Sequence, residues 1–363
     1  MGYHKIIKSY NHHDYLNNVL PVLSSDIDEV TYVYRHDKDK ESFKRNSKVI
    51  KKYKDIEIKY VYIKDINDLK TLIDEETIID VSGVSYSNLL LFDYSAKLDN
   101  LIIYYNNEED NIIDYRKHTI INDKLFKLSI EDIITLGNGE IMNNLHPLPP
   151  EDTSNLIIQL VNDEHHYYNK LINYINKVNK IVSDSNYHLS NYDVRSIIED
   201  NQYAYISKYN LFNIENNIFK YKNDYIKSIF EASGTLLEAY TYLTLKNSNK
   251  FDEVMMSIRI DFSKKHNHRV LCELDGLAIK DNKLVFISCK SNKVDNLSLY
   301  EICGHNNVFG NNLSKACIVT ANDLDNNNEF IYEKALELGA IVIDENNIKN
   351  NSIVDKILSY IKG

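Results

Sequence analysis

Basic charge in excess, paired cysteines and long apolar runs are all missing from this chain. Its 363 residues hold 42 Lys and Arg against 53 Asp and Glu, a net charge of −11. That balance excludes a protein that coats nucleic acid through bulk positive charge, so any such contact must come from local patches or a metal ion. The four cysteines, Cys272, Cys289, Cys303 and Cys317, form no CxxC pair. They read as buried free thiols in a reducing compartment, not as a structural zinc site. No apolar run is long enough to span a membrane and no signal peptide precedes the first strand, so a cytoplasmic chain without a membrane partner is expected. There is no GxGxxG, and a dinucleotide reading lacks its fingerprint. Three of the four prolines fall in the run 147–150, which marks a boundary. The abundance of Tyr, Asn, Ile and Lys is taken as coding bias.

What is present is a module at 272–290. Two apolar, β-prone stretches, 277–279 and 284–287, flank the turn chemistry of Asp281-Asn282. This predicts a hairpin in which Asp275 opens the first strand and Lys290 closes the second. A carboxylate and an ammonium then meet at one end of one sheet. Such a pair can hold a hard divalent metal and steady a water or a phosphate. An Asp and a Lys alone also describe an ordinary surface hairpin with a salt bridge. Glu238, in the helical pattern at 234–240, supplies the second carboxylate that tips the balance toward a site.

Asp275, the hairpin, Ser288-Cys289-Lys290 and the upstream Glu238 resemble the PD-(D/E)xK restriction-endonuclease-like core. The resemblance implies that Glu238 and Asp275 hold Mg²⁺ or Mn²⁺ with help from the Cys289 carbonyl, and that Lys290 orients the attacking water. Ser288 stands where the family's usual acid sits. Glu273, two residues before Asp275 and so on the same strand face, is a candidate substitute.

Residues 1–145 alternate strands (4–8, 30–34, 56–63, 77–81, 101–105) with helices (14–23, 42–53, 85–96), the pattern of a doubly wound parallel sheet. Ligands bind such sheets at the strand carboxyl ends. Two loops lie there: Ser9-Tyr10-Asn11-His12 and Ser82-Gly83-Val84-Ser85-Tyr86, where Gly83 allows close backbone approach and a helix N-terminus favours an anion. The second loop can equally be a plain βα turn with a helix cap. Its position, and the run Asp80-Val81-Ser82-Gly83-Val84-Ser85-Tyr86, resemble the Rossmann-like CARF sensor of cyclic oligoadenylates in CRISPR defence, with Val84 and Tyr86 in place of a second glycine and a lysine. The segment 128–137, with Ser129 as N-cap and Gly137 as C-cap, resembles the one that closes this domain in the same effectors.

Residues 146–224 form a mainly helical connector, with helices at 154–161 and 165–182 and unassigned strands within 201–223. Adjacent His165 and His166 on a helix point about 100° apart and are poor joint ligands. Residues 225–363 run helix, strands, helix, strand, helix, strand, helix, as the endonuclease-like fold requires. His266-Asn267-His268 reads as a polar turn, not an HNH nuclease; His305, on the helix after the hairpin, can face the site, but a solvent-facing position is preferred.

The order of parts resembles CARF–nuclease effectors of type III CRISPR systems over nearly the full length. It implies an α/β chain with a CARF sensor, a helical connector and a restriction-endonuclease-like domain. It further implies a homodimer activated by cyclic oligoadenylate, the tetra-adenylate above all, that cuts single-stranded RNA or DNA and nicks duplex DNA. Lys280, Lys283 and Lys293 are expected to offset substrate repulsion. A sensor module with a decayed nuclease core and a constitutive repair nuclease stand as alternatives.

Overall fold

The computed structural model describes residues 3–11, 14–35, 40–84, 86–97, 99–144, 147–163, 168–190, 193, 209–261, 271–291, 294–309, 314–324 and 329–362. His12, Ser85, Lys293, the His165-His166 pair and the 266–268 tripeptide lie outside them. The chain divides into two compact units, the first built mainly on Met1–Ile141 and the second mainly on Met142–Ile260, Leu271–Val308 and Lys315–Gly363.

The first unit runs β1 (Lys5–Ser9), α1 (Tyr15–Leu23), β2 (Glu29–Tyr34), α2 (Lys40–Tyr53), β3 (Glu57–Tyr62), α3 (Ile66–Leu72), β4 (Thr77–Asp80) and α4 (Tyr86–Ser95). It continues through β5 (Ile102–Asn106), β6 (Asn111–Asp114) and β7 (Thr119–Asn122) to α5 (Ile130–Leu136); the strand that follows, β8 (Glu140–Asn144), pairs in the sheet of the second unit. The sheet order is β3-β2-β1-β4-β5-β6-β7. The first five strands are parallel and the last two antiparallel. The inner strands are continuous apolar runs because helices cover both faces: Ile6, Ile7, Val30 and Ile79 are buried. The strand–helix alternation predicts this doubly wound unit, although α3 and the hairpin β6–β7 escape it. Ser9 ends β1, paired with Val33, and does not belong to the loop that follows. α5 starts with a capping box between Ser129 and Asp132. Asp132 also accepts from Lys52 (2.8 Å) and Tyr53 (2.5 Å), tying α5 to α2.

The second unit contains α6 (Glu151–Asp163), α7 (Tyr168–Asp184), β9 (Phe212–Glu215), β10 (Ile218–Tyr221), α8 (Asp224–Glu231) and α9 (Ser233–Asn247). After them come β11 (Glu253–Asp261), β12 (Leu271–Lys280), β13 (Lys283–Lys290), α10 (Asn296–Phe309), β14 (Lys315–Thr320), α11 (Glu329–Glu337), β15 (Ala340–Ile343), α12 (Glu345–Lys349) and α13 (Ile353–Lys362). Its main sheet has the order β15-β14-β13-β12-β11-β8. The β12–β13 hairpin turns through Asp281 (φ 48°) and Asn282 (φ 59°), the two left-handed residues of a type I′ turn. β12 begins at Leu271, so Asp275 does not open the strand. It stands one residue before the hairpin ladder, which starts at Gly276↔Ile287. Strand β12 also borders β11, and that second partner carries it past the hairpin register. One buried cluster joins Ile157, Leu160 and Val178 of α6 and α7 to Leu236, Tyr240, Val285, Ile287 and Val319. The helices at 151–184 therefore share a core with the β12–β13 sheet.

Candidate functional site

Helix α9 is laid against the sheet by Leu236, Leu237 and Tyr240, each at most 1% exposed. This orientation places Glu238 in a cavity that Asp275, Thr241, Gly276, Ile287 and Cys289 also line. Glu238 Oε2 accepts from the Ser257 hydroxyl at 2.9 Å. Burial, then the charge of Asp275, push the Glu238 carboxyl up to about 7, against the smaller opposing pull of Lys290. Asp275 Oδ2 accepts from the Cys289 main-chain N–H at 2.6 Å and from the Ser288 hydroxyl at 3.2 Å. Burial nevertheless holds Asp275 above its ordinary value. Ser288 thus spends its hydroxyl on the carboxylate. The thiol of Cys289 is driven well above its ordinary value by burial and is no nucleophile.

A second opening on the same carboxylate is lined by Glu273, Asp275, Ser288, Lys290, Glu301 and His305. Lys290 Nζ lies 3.5 Å from Glu301 Oε2. His305 lies half-buried in this cleft, where the sequence reading preferred a solvent-facing position. Burial lowers its imidazole below the usual value, against the raising charges of Glu301 and Asp275. Glu301 has no signal in the linear sequence, since α10 follows β13 with no motif of its own. Glu273 is paired with Arg259, Nε to Oε1 at 3.2 Å, so it borders the cleft as half of an ion pair.

Two of the expected substrate lysines are corrected. Lys280 and Lys283 sit at the turn end of the hairpin, remote from Asp275 along both strands. Lys280 lies 3.2 Å from Asp281. Lys283 is buried and donates to the Ile361 carbonyl at 3.4 Å. A period-two reading places a lysine on a face but not at an end of the sheet.

The donor set fits a hard divalent cation. Glu238 and Asp275 supply two carboxylates whose burial and mutual repulsion a cation offsets. Among the described residues, no three His, Cys, Asp or Glu side chains are grouped to hold a metal. Water and main-chain oxygen must supply the remainder, which suits Mg²⁺ or Mn²⁺ better than an all-protein cage.

In the first unit, the predicted loops meet at the carboxyl ends of β1 and β4. Asn11 Nδ2 donates to the Gly83 carbonyl at 3.2 Å. Gly83 is exposed with φ +64°, and a Cβ there would stand 2.8 Å from Asn17 Nδ2. Ser82 is 3% exposed; its hydroxyl oxygen accepts from the Tyr105 N–H at 2.8 Å and its own N–H reaches Asp80 Oδ1, also at 2.8 Å. Tyr10 packs edge-on against Phe43, ring centroids 4.7 Å apart, with its hydroxyl bonded to Ser42. Val84 is half-buried at the loop, and Tyr86 begins α4. Sequence reasoning missed the layer beneath. Lys8 and Asp80, both fully buried, form an ion pair across adjacent strands, and Lys8 also donates to the Asn17 carbonyl.

Residues 227–359 match the model of the Card1-like endonuclease domain. No curated protein matches the sequence. Among solved structures, protein VC1899 from Vibrio cholerae superposes with a TM-score of 0.80 at 15% identity, covering 99% of both chains. Can2 from Sulfobacillus thermosulfidooxidans, solved with cyclic tetra-adenylate, gives 0.73 at 16% identity, again over 99% of both chains. A type III CRISPR defence DNA nuclease activated by cyclic oligoadenylate gives 0.51 at 12% identity, over 89% of this chain and 46% of that one. The chain thus shares the fold of VC1899 and Can2 over nearly its full length, and its residues 227–359 match a Card1-like endonuclease domain.

Proposed function

We propose that this chain is a divalent-metal-dependent nuclease of CRISPR antiviral defence, switched on by a cyclic oligoadenylate. The convergence of Glu238 and Asp275 on one cavity, with Lys290 beside it, carries this reading. The match of that region to an endonuclease domain supports it, as does the likeness to Can2 bound to cyclic tetra-adenylate. Cyclic tetra-adenylate is the proposed activator. Single-stranded RNA or DNA is the proposed substrate.

Glu238, Asp275 and the Cys289 carbonyl are the residues to hold Mg²⁺ or Mn²⁺. When bound, such an ion supplies Lewis acidity to the phosphate and acidifies water. Ser288 and the Cys289 N–H keep Asp275 aimed at the cavity. Lys290 offsets charge that builds on the phosphate. In the first unit, Tyr10, Asn11 and His12, following Ser9 at the end of β1, with Ser82, Gly83, Val84, Ser85 and Tyr86 are the proposed activator-binding residues. Gly83 offers main chain at close range, and the buried Lys8–Asp80 pair braces it from below. A two-fold symmetric ring suits an isologous homodimer in which each copy supplies half of the pocket. The activator then acts by binding one arrangement better than the other.

The test is a cleavage panel with purified protein, Mg²⁺ or Mn²⁺, single-stranded RNA, single-stranded DNA, plasmid and branched DNA, with and without cyclic tetra-adenylate. Activator-dependent cutting supports the reading. Binding of the ring with no cutting points to a sensor with a decayed core. Cutting of branched DNA without the ring points to a repair nuclease.

A further inference from the structure

Helix α10 carries side chains that the metal and lysine chemistry leaves unused. Leu299, Ile302 and Cys303 are buried and set its rotation. That rotation brings Glu301 and His305, one turn apart, to the cleft shared with Asp275, Ser288 and Lys290. The neighbouring row on the same helix holds Tyr300 and Gly304, also one turn apart. Tyr300 is 52% exposed. A Cβ built on Gly304 would meet nothing within 4 Å. Glycine inside a helix is costly relative to alanine, and no close packing calls for it here.

We propose that this face of α10 is the track along which a single nucleic-acid strand enters the cleft. Tyr300 stacks on a base, Gly304 leaves room for the strand, and His305 donates a hydrogen bond to a phosphate oxygen beside the cleavage point. Glu301 and His305 line the cleft that lies on Asp275 and Lys290, and the Tyr300–Gly304 row stands next to them on the same helix, so a strand that reaches the cleft is the occupant this row fits. The imidazole keeps at least one N–H to donate in either protonation state, so the contact does not depend on its titration. Stacking tolerates any base and adds affinity without positive charge, which suits a chain of net charge −11. The inference rests on the nuclease reading above.

The experiment compares the full-length protein with Tyr300→Ala, Tyr300→Phe, His305→Ala, Gly304→Ala and, as a control on another helix, Phe330→Ala, an exposed aromatic on α11. Binding of fluorescent single-stranded RNA and DNA of one sequence is measured in EDTA, and cleavage is measured with metal and cyclic tetra-adenylate. Tyr300→Ala should weaken strand binding by about 5- to 100-fold, with Tyr300→Phe recovering most of it. His305→Ala should raise KM by roughly 10-fold. Gly304→Ala should raise the thermal midpoint while weakening strand binding, a combination that a purely structural role does not produce. Phe330→Ala should match the wild type. Wild-type binding and cleavage with all three positions unaffected overturns the α10 track alone. A wild type that neither binds nor cuts a single strand overturns both the track and the nuclease reading.

Discussion

The main-chain N–H of Cys289 donates to Oδ2 of Asp275 across 2.6 Å, from the strand that pairs with its own. The β12–β13 register therefore aims the carboxylate at the cavity it shares with Glu238. Changes at Asp275 act on chemistry and on packing separately, and the two effects can be resolved.

Asp275→Asn should abolish activator-dependent cleavage, by about 10³-fold or more, while the amide oxygen keeps the Cys289 N–H partnered. Its thermal midpoint should stay close to that of the wild type. Asp275→Ala should also abolish cleavage but lose about 1–3 kcal/mol, because a buried N–H is left without an acceptor. Kinetics and urea denaturation of both variants check this.

Stability of the metal-free protein should fall with rising pH. The Glu238 carboxyl is raised from 4.5 to about 7 by burial and by Asp275. A folded-state value above the unfolded one gives stability that is complete below the unfolded value and is lost as pH rises through the folded value. The window is thus from about pH 4.5 to just above 7, and the loss is on the order of 3 kcal/mol. Denaturation midpoints at pH 5 and pH 8 in EDTA should show it, and Glu238→Gln should flatten it.

Mn²⁺ or Mg²⁺ at pH 8 should raise the melting temperature of the wild type, since a ligand that binds only the folded state stabilises it. Neither ion should stabilise Glu238→Gln or Asp275→Asn to the same degree. Equal shifts in all three proteins would place the ion elsewhere.

Gly83→Ala should destabilise the first unit by about 1–2 kcal/mol. The substitution meets both the positive φ and Asn17 Nδ2 at 2.8 Å. Calorimetric titration with cyclic tetra-adenylate should show weakened binding, because the main chain at this loop must move.

Lys8→Met leaves Asp80 without its ion-pair partner in a site with no solvent contact and should cost about 3–5 kcal/mol. Adding Asp80→Asn removes the unpaired carboxyl and should recover part of the loss. Chemical denaturation of the single and double variants closes the cycle.

Long periodic segments were legible in the sequence. The parallel strands of the first unit, the β12–β13 hairpin with its Asp281-Asn282 turn, and Glu238 on an upstream helix all follow from local pattern. The strands Asn111–Asp114 and Thr119–Asn122 were not read from the sequence, although β4, of the same length, was. The Lys8–Asp80 pair joins residues 72 positions apart and depends on β1 lying beside β4. His305 was misjudged because α10 mixes polar and apolar residues all round. Its rotation is set only by which of them the sheet covers.

By itself, the sequence determined the strand–helix alternation of the first unit's parallel sheet, the β12–β13 hairpin, and the carboxylate, hydroxyl and lysine chemistry spaced along the chain. These depend on side-chain periodicity and turn chemistry, which act over a few residues. Only the tertiary structure decided which end of each strand faces a cavity. It turned Lys283 inward, brought Glu301 to Lys290, and set Glu238 and Asp275 close enough that the charge of one raises the pKa of the other. Those relations depend on burial and on through-space Coulomb energy, which the chain acquires only when packing removes water from between distant segments.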